Sequence, residues 1–354
     1  MRLTVVGNPA NRRVRSFTEA ALAAGLDRPA VLPWRDVLAG AAPPESGLLR
    51  IDSPGEDAEV DVLLRGPGAR AARDGEILGF AAAHAGMVAA ATRIASGGAE
   101  PLNDPADIAV LCDKRDCHAR LAAAGIPVPE ALPPVHGYAQ LRAAMAEARW
   151  SRVFVKPAHG SSASGVLALA VAPGGRIRAV TPVELTPDGL FNSLRLSAYT
   201  TEAEVATIVD RLAPDGLHVE RWLPKATLGD RVVDLRVVVI AGRPTHAVVR
   251  SSRSPLTNLH LGNARGDLAA LRAAAGPAAW SAAMATCERV AARFPGSLHV
   301  GVDLMFLSGW RRHAVAEVNA FGDLIPGVLS EGGRDTYAEE IHALVSGRWR
   351  ACVR

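Results

Sequence analysis

The sequence predicts an α/β protein of two or three lobes, on three observations. Residues 1 to about 105 alternate strand-like and helix-like patterns. A strand ending in a lysine, Phe154-Val155-Lys156-Pro157, runs into a glycine-serine loop at 159–165. Near the carboxy end, alternating runs at 300–307 and 313–319 flank a turn at Ser308-Gly309-Trp310, the pattern of a hairpin. At 354 residues the chain can bury a large core.

The elements follow in order. Leu3-Thr4-Val5-Val6 reads as a strand, 14–24 as a helix and Ala30-Val31-Leu32 as a second strand, the opening of an α/β sheet. Gly7-Asn8-Pro9-Ala10-Asn11 fills the first strand-to-helix turn but lacks the G-x-G-x-x-G spacing, which argues against a dinucleotide site. Residues 50–57 are dense in polar groups and turn formers. They read either as a capped turn around Ser53-Pro54-Gly55 or, with Asn8, Asn11 and Arg12, as substrate-binding residues at a strand end. Residues 105–125 form a helical run closed by glycine, and Ile126-Pro127-Val128-Pro129 leaves it extended. Helices are expected at 138–149, 201–212 and 278–294, and strands at 152–157, 166–171, 218–223 and 232–240. The last of these turns back at Ala241-Gly242-Arg243.

Composition removes several classes. A net charge of +3 demands neither nucleic acid nor membrane as a partner. The apolar run at 78–91 is interrupted by His84 and Gly86 and cannot span a bilayer. Cys112, Cys117, Cys287 and Cys352 have no zinc-type or redox-type spacing and read as reduced thiols of a cytoplasmic protein. The run 1–7 is too short for a signal peptide.

The chemistry is read from oxygen donors and cations. Asp303, Glu317 and Asn319 share parity, which in a hairpin with an odd-length loop places all three on one face. Val302, Leu304, Phe306, Val315 and Val318 supply the opposite, apolar face. Acidic hairpin faces are also ordinary solvated surfaces. Here two carboxylates and an amide oxygen suit Mg²⁺, which usually expects a phosphate as co-ligand. In the loop, Gly160 and Gly165 let backbone N–H groups approach phosphate oxygens, while Ser161, Ser162 and Ser164 add donors. It is not a Walker loop, since Val166-Leu167 stands where lysine and serine or threonine are required. Lys114 and Lys156 are cations for a polyphosphate. Glu220, Trp222 and Leu223 end a strand able to read an adenine edge. Arg236 and Arg250 are planar forks suited to a transferring phosphate, and the loop carrying Asn258 can close over them.

In this order, Asp113-Lys114 with GIPVP at 125–129, FVKPAHGSSASGV, VERWLP, DLRVVVIAGRP, NLHLG, GVDLMF and AEVNAFGDLIPG resemble the ATP-grasp superfamily over roughly 105–330. The resemblance is to its glutathione-synthetase-like and ribosomal-protein glutamate-ligase-like members. GNPANRRV and RIDSPGED look like motifs of an uncharacterised bacterial ATP-grasp family. It implies an ATP-grasp fold with an N-terminal open α/β domain over 1–105, a small or lid subdomain over 106–217 and a C-terminal subdomain over 218–354.

By motif match, Lys114, Lys156, Gly160, Ser161, Ser162, Ser164, Gly165, Glu220, Trp222 and Leu223 would hold ATP. Asp303, Glu317 and Asn319 would hold Mg²⁺, two ions being expected, and Arg236, Arg250 and Asn258 would act on the phosphoryl group. Asp230 lies where a ribose contact is sought, in a loop of unusual spacing. The implied activity is an ADP-forming ligase that joins a small-molecule or peptide carboxylate to an amine or thiol through an acyl phosphate. A phosphotransferase or a silent ATP-binding scaffold uses the same scaffold, and a homodimer is compatible with all three.

Overall fold

A computed structural model describes residues 1–55 and 57–349. Glu56 of the 50–57 turn and Cys352 lie outside the described residues. Cys112, Cys117 and Cys287 are free.

The N-terminal part runs β1 (Leu3–Val6), α1 (Arg12–Ala23), β2 (Ala30–Leu32), α2 (Trp34–Leu38), β3 (Leu48–Ile51), α3 (Ala58–Arg65), α4 (Phe80–Ala95) and β4 (Glu100–Pro101). Its strands pair in parallel in the order β2-β1-β3-β4. Arg50 and Ile51 were expected to belong to the polar 50–57 segment, read as a turn or a substrate site, but they end the strand Leu48–Ile51. That strand is wholly buried beside β1, and only the residues after Asp52 turn. The expected helical run at 105–125 divides into α5 (Pro105–Leu111) and α6 (Lys114–Ala123). The break follows from the sequence: the Asp113 side chain accepts from Arg115 N, so the aspartate caps a new helix rather than extending the old one.

α7 (Tyr138–Glu147) leads into β5 (Arg152–Pro157), β6 (Leu167–Val171), β7 (Ile177–Thr186), β8 (Gly189–Tyr199), α8 (Glu202–Leu212) and β9 (Leu217–Arg221). These strands form an antiparallel sheet ordered β8-β7-β6-β5-β9. The long β7–β8 hairpin was not anticipated, because half-exposed residues on β8 blur its alternation. β9 begins at Leu217, where the small subdomain was expected to end, and still completes this middle sheet, pairing with β5.

The C-terminal part comprises β10 (Thr227–Leu228), β11 (Arg231–Ile240), β12 (Arg243–Ser252), β13 (Ala264–Arg265), α9 (Leu268–Ala291), β14 (His299–Phe306), β15 (His313–Asn319) and α10 (Thr336–Val345). Its sheet is ordered β13-β12-β11-β14-β15. Ala241 and Gly242, with φ of 46° and 75°, make the two-residue left-handed turn that matches the strand twist between β11 and β12. The helix expected from 278 starts at Leu268 and is interrupted at Gly276-Pro277, where Gly276 leaves helical geometry and proline cannot donate.

The cores show which parts pack together. One cluster joins β3, α3 and α4 to the strands β11, β14 and β15 and to α9. A second joins β1 and α1 to α10 and the far end of β11. The middle sheet with α7 and α8 has its own core around Leu141, Val155, Leu169 and Ile208. N- and C-terminal parts therefore share buried apolar surface, and the middle sheet has a core of its own and meets the C-terminal part through a small cluster of Phe154, Val166 and Ala168 with Leu256. Among the described residues no helix is long and apolar enough to cross a membrane.

Candidate active site

The cleft lies between the middle sheet and the C-terminal sheet and spans about 750 Å³, part of it open to solvent. Its floor is a row of charged side chains crossing four strands. Strand register pairs Arg250 with Asp234, Arg236 with Asp303, Asp303 with Glu317 and Gly301 with Asn319. Because Asp234 and Arg236 are two residues apart, they share a face, and the pairing carries that face from β12 to β15.

The hairpin holds a detail that parity alone does not explain. Val315 and Val318 have opposite parity, yet both are buried in the core. Leu304 pairs with Val315 while Asp303 pairs with Glu317, so Ala316 is an extra residue, a β-bulge. The bulge restores the apolar face and puts Glu317 and Asn319 on the cleft side. It also presents the Ala316 carbonyl to Lys156 Nζ at 3.4 Å.

Along the row, opposite signs meet except at one place. Asp303 and Glu317 are directly opposed carboxylates, a destabilising pair unless cations attend it. The cations are present. Asp303 accepts from Arg236 Nε at 2.5 Å and Nη2 at 3.2 Å, and from Arg250 Nη1 at 3.1 Å. Glu317 lies 3.2 Å from Lys114 Nζ. Burial would raise the Asp303 pKa, but Arg236 and Arg250 hold it below the ordinary carboxylate value. Asn319 Nδ2 donates to Gly301 O at 3.3 Å, so its Oδ1 is the atom left to act as a ligand. A side chain on Gly301 would meet Gly322 Cα at 2.5 Å, so the turn after β15 closes directly on β14 and fixes Asn319. Oxygen donors already balanced by exchangeable cations fit Mg²⁺.

The opposite wall is built around two lysines. Asp113 caps α6 and leaves Lys114 at its first position, where Nζ also donates to Gly160 O. Lys156, at the end of β5, pairs with Glu220 Oε1 at 2.5 Å. Glu220 was expected to face an adenine amino group. Here its carboxylate is taken up by Lys156 and by His218, 3.4 Å away. Burial raises the Glu220 pKa, but Lys156 first and His218 second outweigh it and hold it at about 2. Leu223 lines the cleft, whereas Trp222 packs on Phe154, ring centroids 5.2 Å apart, and lines a separate groove with Pro127 and Pro224.

Gly160 and Gly165 are buried at the ends of the loop, while Ser161 and Ser162 are exposed and Ser164 half-buried. Ser162 and Ala163 take left-handed φ of 53° and 62°, unusual for residues with a Cβ and often seen at ligand clamps. Gly160 and Ala163 reach the cleft lining. Arg250 and Asn258 line the cleft too, whereas Arg236 stands behind Asp303, with Nη1 3.4 Å from Gly322 O. Asn258 caps the short turn after it, accepting from His260 N. Asp230 pairs with Arg253 on the exposed surface, outside the cleft lining.

Sequence reasoning passed over Lys225, Asp234 and Thr257. Lys225 Nζ reaches Asp234 Oδ2 and Thr257 Oγ1, each at 2.8 Å. Asp234 also takes Arg250 Nε at 2.7 Å and the Thr257 hydroxyl. Burial acts to raise its pKa, yet Arg250 and Lys225 keep it far below the ordinary value. The signal available for Asp234 was its period-2 relation to Arg236; nothing local marks Lys225 or Thr257.

No family model matches the chain, and no curated protein matches it in sequence. Solved structures do. D-cycloserine synthetase DcsG superposes with a TM-score of 0.61 at 16% identity, over 98% of this chain and 100% of that one. The ATP-grasp ligase PsnB complexed with minimal precursor gives 0.55 at 18% identity over 98% and 99% of the two chains. The macrocyclase MdnC bound with precursor peptide MdnA, from Microcystis aeruginosa MRC, gives 0.54 at 11% identity over 97% and 99%. This chain has the ATP-grasp fold. The expected fold class is borne out over nearly its whole length, and a cleft opens where the hairpin faces the two lysines.

Proposed function

We propose that this ATP-grasp protein is an ATP-dependent, ADP-forming ligase that activates a carboxylate as an acyl phosphate and joins it to an amine or thiol. The observation that carries the reading is the opposed Asp303–Glu317 pair, flanked by Asn319 and attended by Lys114, Arg236 and Arg250. Support comes also from PsnB, whose structure is described as complexed with minimal precursor, Mg and ADP. DcsG and the D-alanine–D-alanine ligase from Bacillus anthracis have the same fold and are named as synthetase and ligase.

Asp303, Glu317 and Asn319 would hold Mg²⁺, which when bound neutralises charge on the phosphates. The chain's own groups do the rest. On nucleotide binding Lys114 exchanges Glu317 for a phosphate oxygen, and Lys156, held by Glu220, presents its ammonium from the opposite wall. Gly160 to Gly165 closes over the phosphates and excludes water that would hydrolyse the acyl phosphate. Arg250, oriented by Asp234, and Arg236, held by Gly322 O, supply fixed positive charge to the transferring phosphoryl group. Asn258 contributes a polar cap from the facing loop. The second substrate then attacks the acyl carbon and phosphate departs.

The test is incubation with ATP, Mg²⁺ and a cell extract, followed by mass spectrometry for new amide or thioester products. ADP release that needs both a carboxylate and a nucleophile supports a ligase. A stable phosphorylated product formed without a second substrate replaces this reading with a phosphotransferase.

A further inference from the structure

A second ion cluster, unused by the chemistry above, lies where the N-terminal sheet meets the turn after β15. Arg13 comes from α1, Arg50 and Asp52 from the end of β3, His299 from β14, Asp323 from the turn, and Tyr337 and Glu340 from α10. Arg50 Nη2 donates to Asp323 Oδ2 at 2.5 Å, and its Nη1 donates to Glu340 Oε2. Arg13 pairs with Asp323 Oδ1, and Arg50 Nε lies 3.6 Å from Asp52 Oδ2. Arg50 also stacks over the Phe17 ring at 4.6 Å. Asp323 and Glu340 are wholly buried, and Arg50, Asp52 and His299 are 1–3% exposed.

The charges do not balance. Three carboxylates face two guanidiniums, and the imidazole and phenol are neutral groups at ordinary pH, so one negative charge has no partner. Such a charge is not sustained without water; it is removed by a cation or a proton. A divalent metal is one candidate, since His299, Asp323 and Glu340 offer ligand atoms within 4.8 Å of one another. It would add two charges where one is lacking, beside two arginines that already occupy Asp323 and Glu340. A proton supplies the missing unit. Two carboxylate oxygens here have no hydrogen-bond partner, Asp52 Oδ2 and Glu340 Oε1. Asp52 Oδ2 faces the Arg50 guanidinium at 3.6 Å, whereas Glu340 Oε1 lies 3.3 Å from His299 Nδ1, a ring nitrogen able to take a proton's hydrogen bond.

We propose that Glu340 and His299 share one bound proton, which closes the charge of an interdomain clasp holding the N-terminal sheet on the turn that carries Gly322 and Asp323. The shifts agree in direction. Burial pushes the Glu340 carboxyl up, against Arg50, to about 8, and lowers His299 to about 4. Tyr337 is raised, burial first and Asp323 next, so it stays neutral. The proton therefore sits on Glu340 and is donated to His299 Nδ1. The inference stands on this cluster and not on the ligase reading.

The sign of the pH dependence follows. Glu340 binds its proton more tightly folded than unfolded, so the contribution is complete below the ordinary value of 4.5. It is lost as pH rises through about 8. In Glu340→Gln, the amide keeps an acceptor for Arg50 and offers a donor to His299 without titrating. Urea unfolding of wild type and Glu340→Gln is compared between pH 5 and 9. Across the window the ratio of their unfolding constants changes by up to about tenfold per pH unit, with wild type losing ground as pH rises. Parallel curves overturn the proposal. Infrared spectra of wild type decide the matter even if the variant does not fold. A protonated-carboxyl band at pH 6 that fades by pH 10 is expected, and its absence at pH 6 refutes the shared proton. A stoichiometric metal bound to wild type and lost in Glu340→Gln also refutes it.

Discussion

One face of β14 serves two ion clusters, Asp303 in the cleft and His299 in the clasp four residues away. Both clusters use arginine and carboxylate, and both are mostly buried. They differ in what covers them. The cleft cluster opens onto a space of about 750 Å³, and its partners Lys114 and Arg236 keep 12% and 19% of their side-chain surface. Its ion pairs can be exchanged for ligand contacts without stranding a charge. In the clasp Arg13 keeps 17% of its surface, but Arg50, Asp323 and Glu340 keep 2% or less under α1 and α10. Those inner partners cannot be exchanged, and the charge is balanced by protonation. Exposure to a cleft, and not residue type, separates a site poised for chemistry from one that fastens domains together.

Breaking the contrast at its chemical end gives the largest effect. Glu317→Gln or Asn319→Ala should lower ADP formation by about 10²- to 10³-fold with the circular dichroism spectrum unchanged. Undiminished turnover in a folded Glu317→Gln protein would remove the hairpin from the mechanism. At the structural end, Arg50→Ala should cost about 3–5 kcal/mol of stability in urea unfolding, because it strands buried carboxylates. Arg236→Ala should cost clearly less in the same measurement, since water from the cleft can reach Asp303. Equal losses would erase the distinction between the clusters.

Acid sharpens the comparison further. Glu220 has an ordinary value of 4.5 and is held at about 2 by Lys156, so its contribution is present above 4.5 and is lost as pH falls through about 2. The gap in thermal midpoint between wild type and Glu220→Gln should therefore close as pH falls from 7 towards 2, the reverse of the trend for Glu340. The smallest effect belongs to Asp230, exposed beside Arg253. Asp230→Ala should leave both ADP formation and the unfolding midpoint unchanged. A marked rise in the KM for ATP would return Asp230 to the nucleotide site.

Much of this was legible from local pattern. The parity of Asp303, Glu317 and Asn319 follows from a two-residue repeat and was read directly, although the bulge at Ala316 that reconciles Val315 with Val318 was not. Lys156 was found because a strand end leaves marks within a few residues; Lys114 was named, but the helix start capped by Asp113 was not read, since 105–125 looked like one helical run. The 50–57 segment was misjudged in part. Arg50 was weighed as a substrate residue or part of a turn, but its guanidinium is enclosed by Asp323 and Glu340, over 270 residues away in sequence.

The chain by itself determined most of the strands and the charged face of the hairpin, because each depends on neighbours a few residues apart. Tertiary structure alone decided which charge meets which. Arg250 with Asp303, Lys225 with Thr257 and Arg50 with Glu340 are joined across 53, 32 and 290 residues. Pairing and burial at that range depend on how three sheets stack, and burial is what turns a charged side chain into a ligand, a clasp or a solvated surface group.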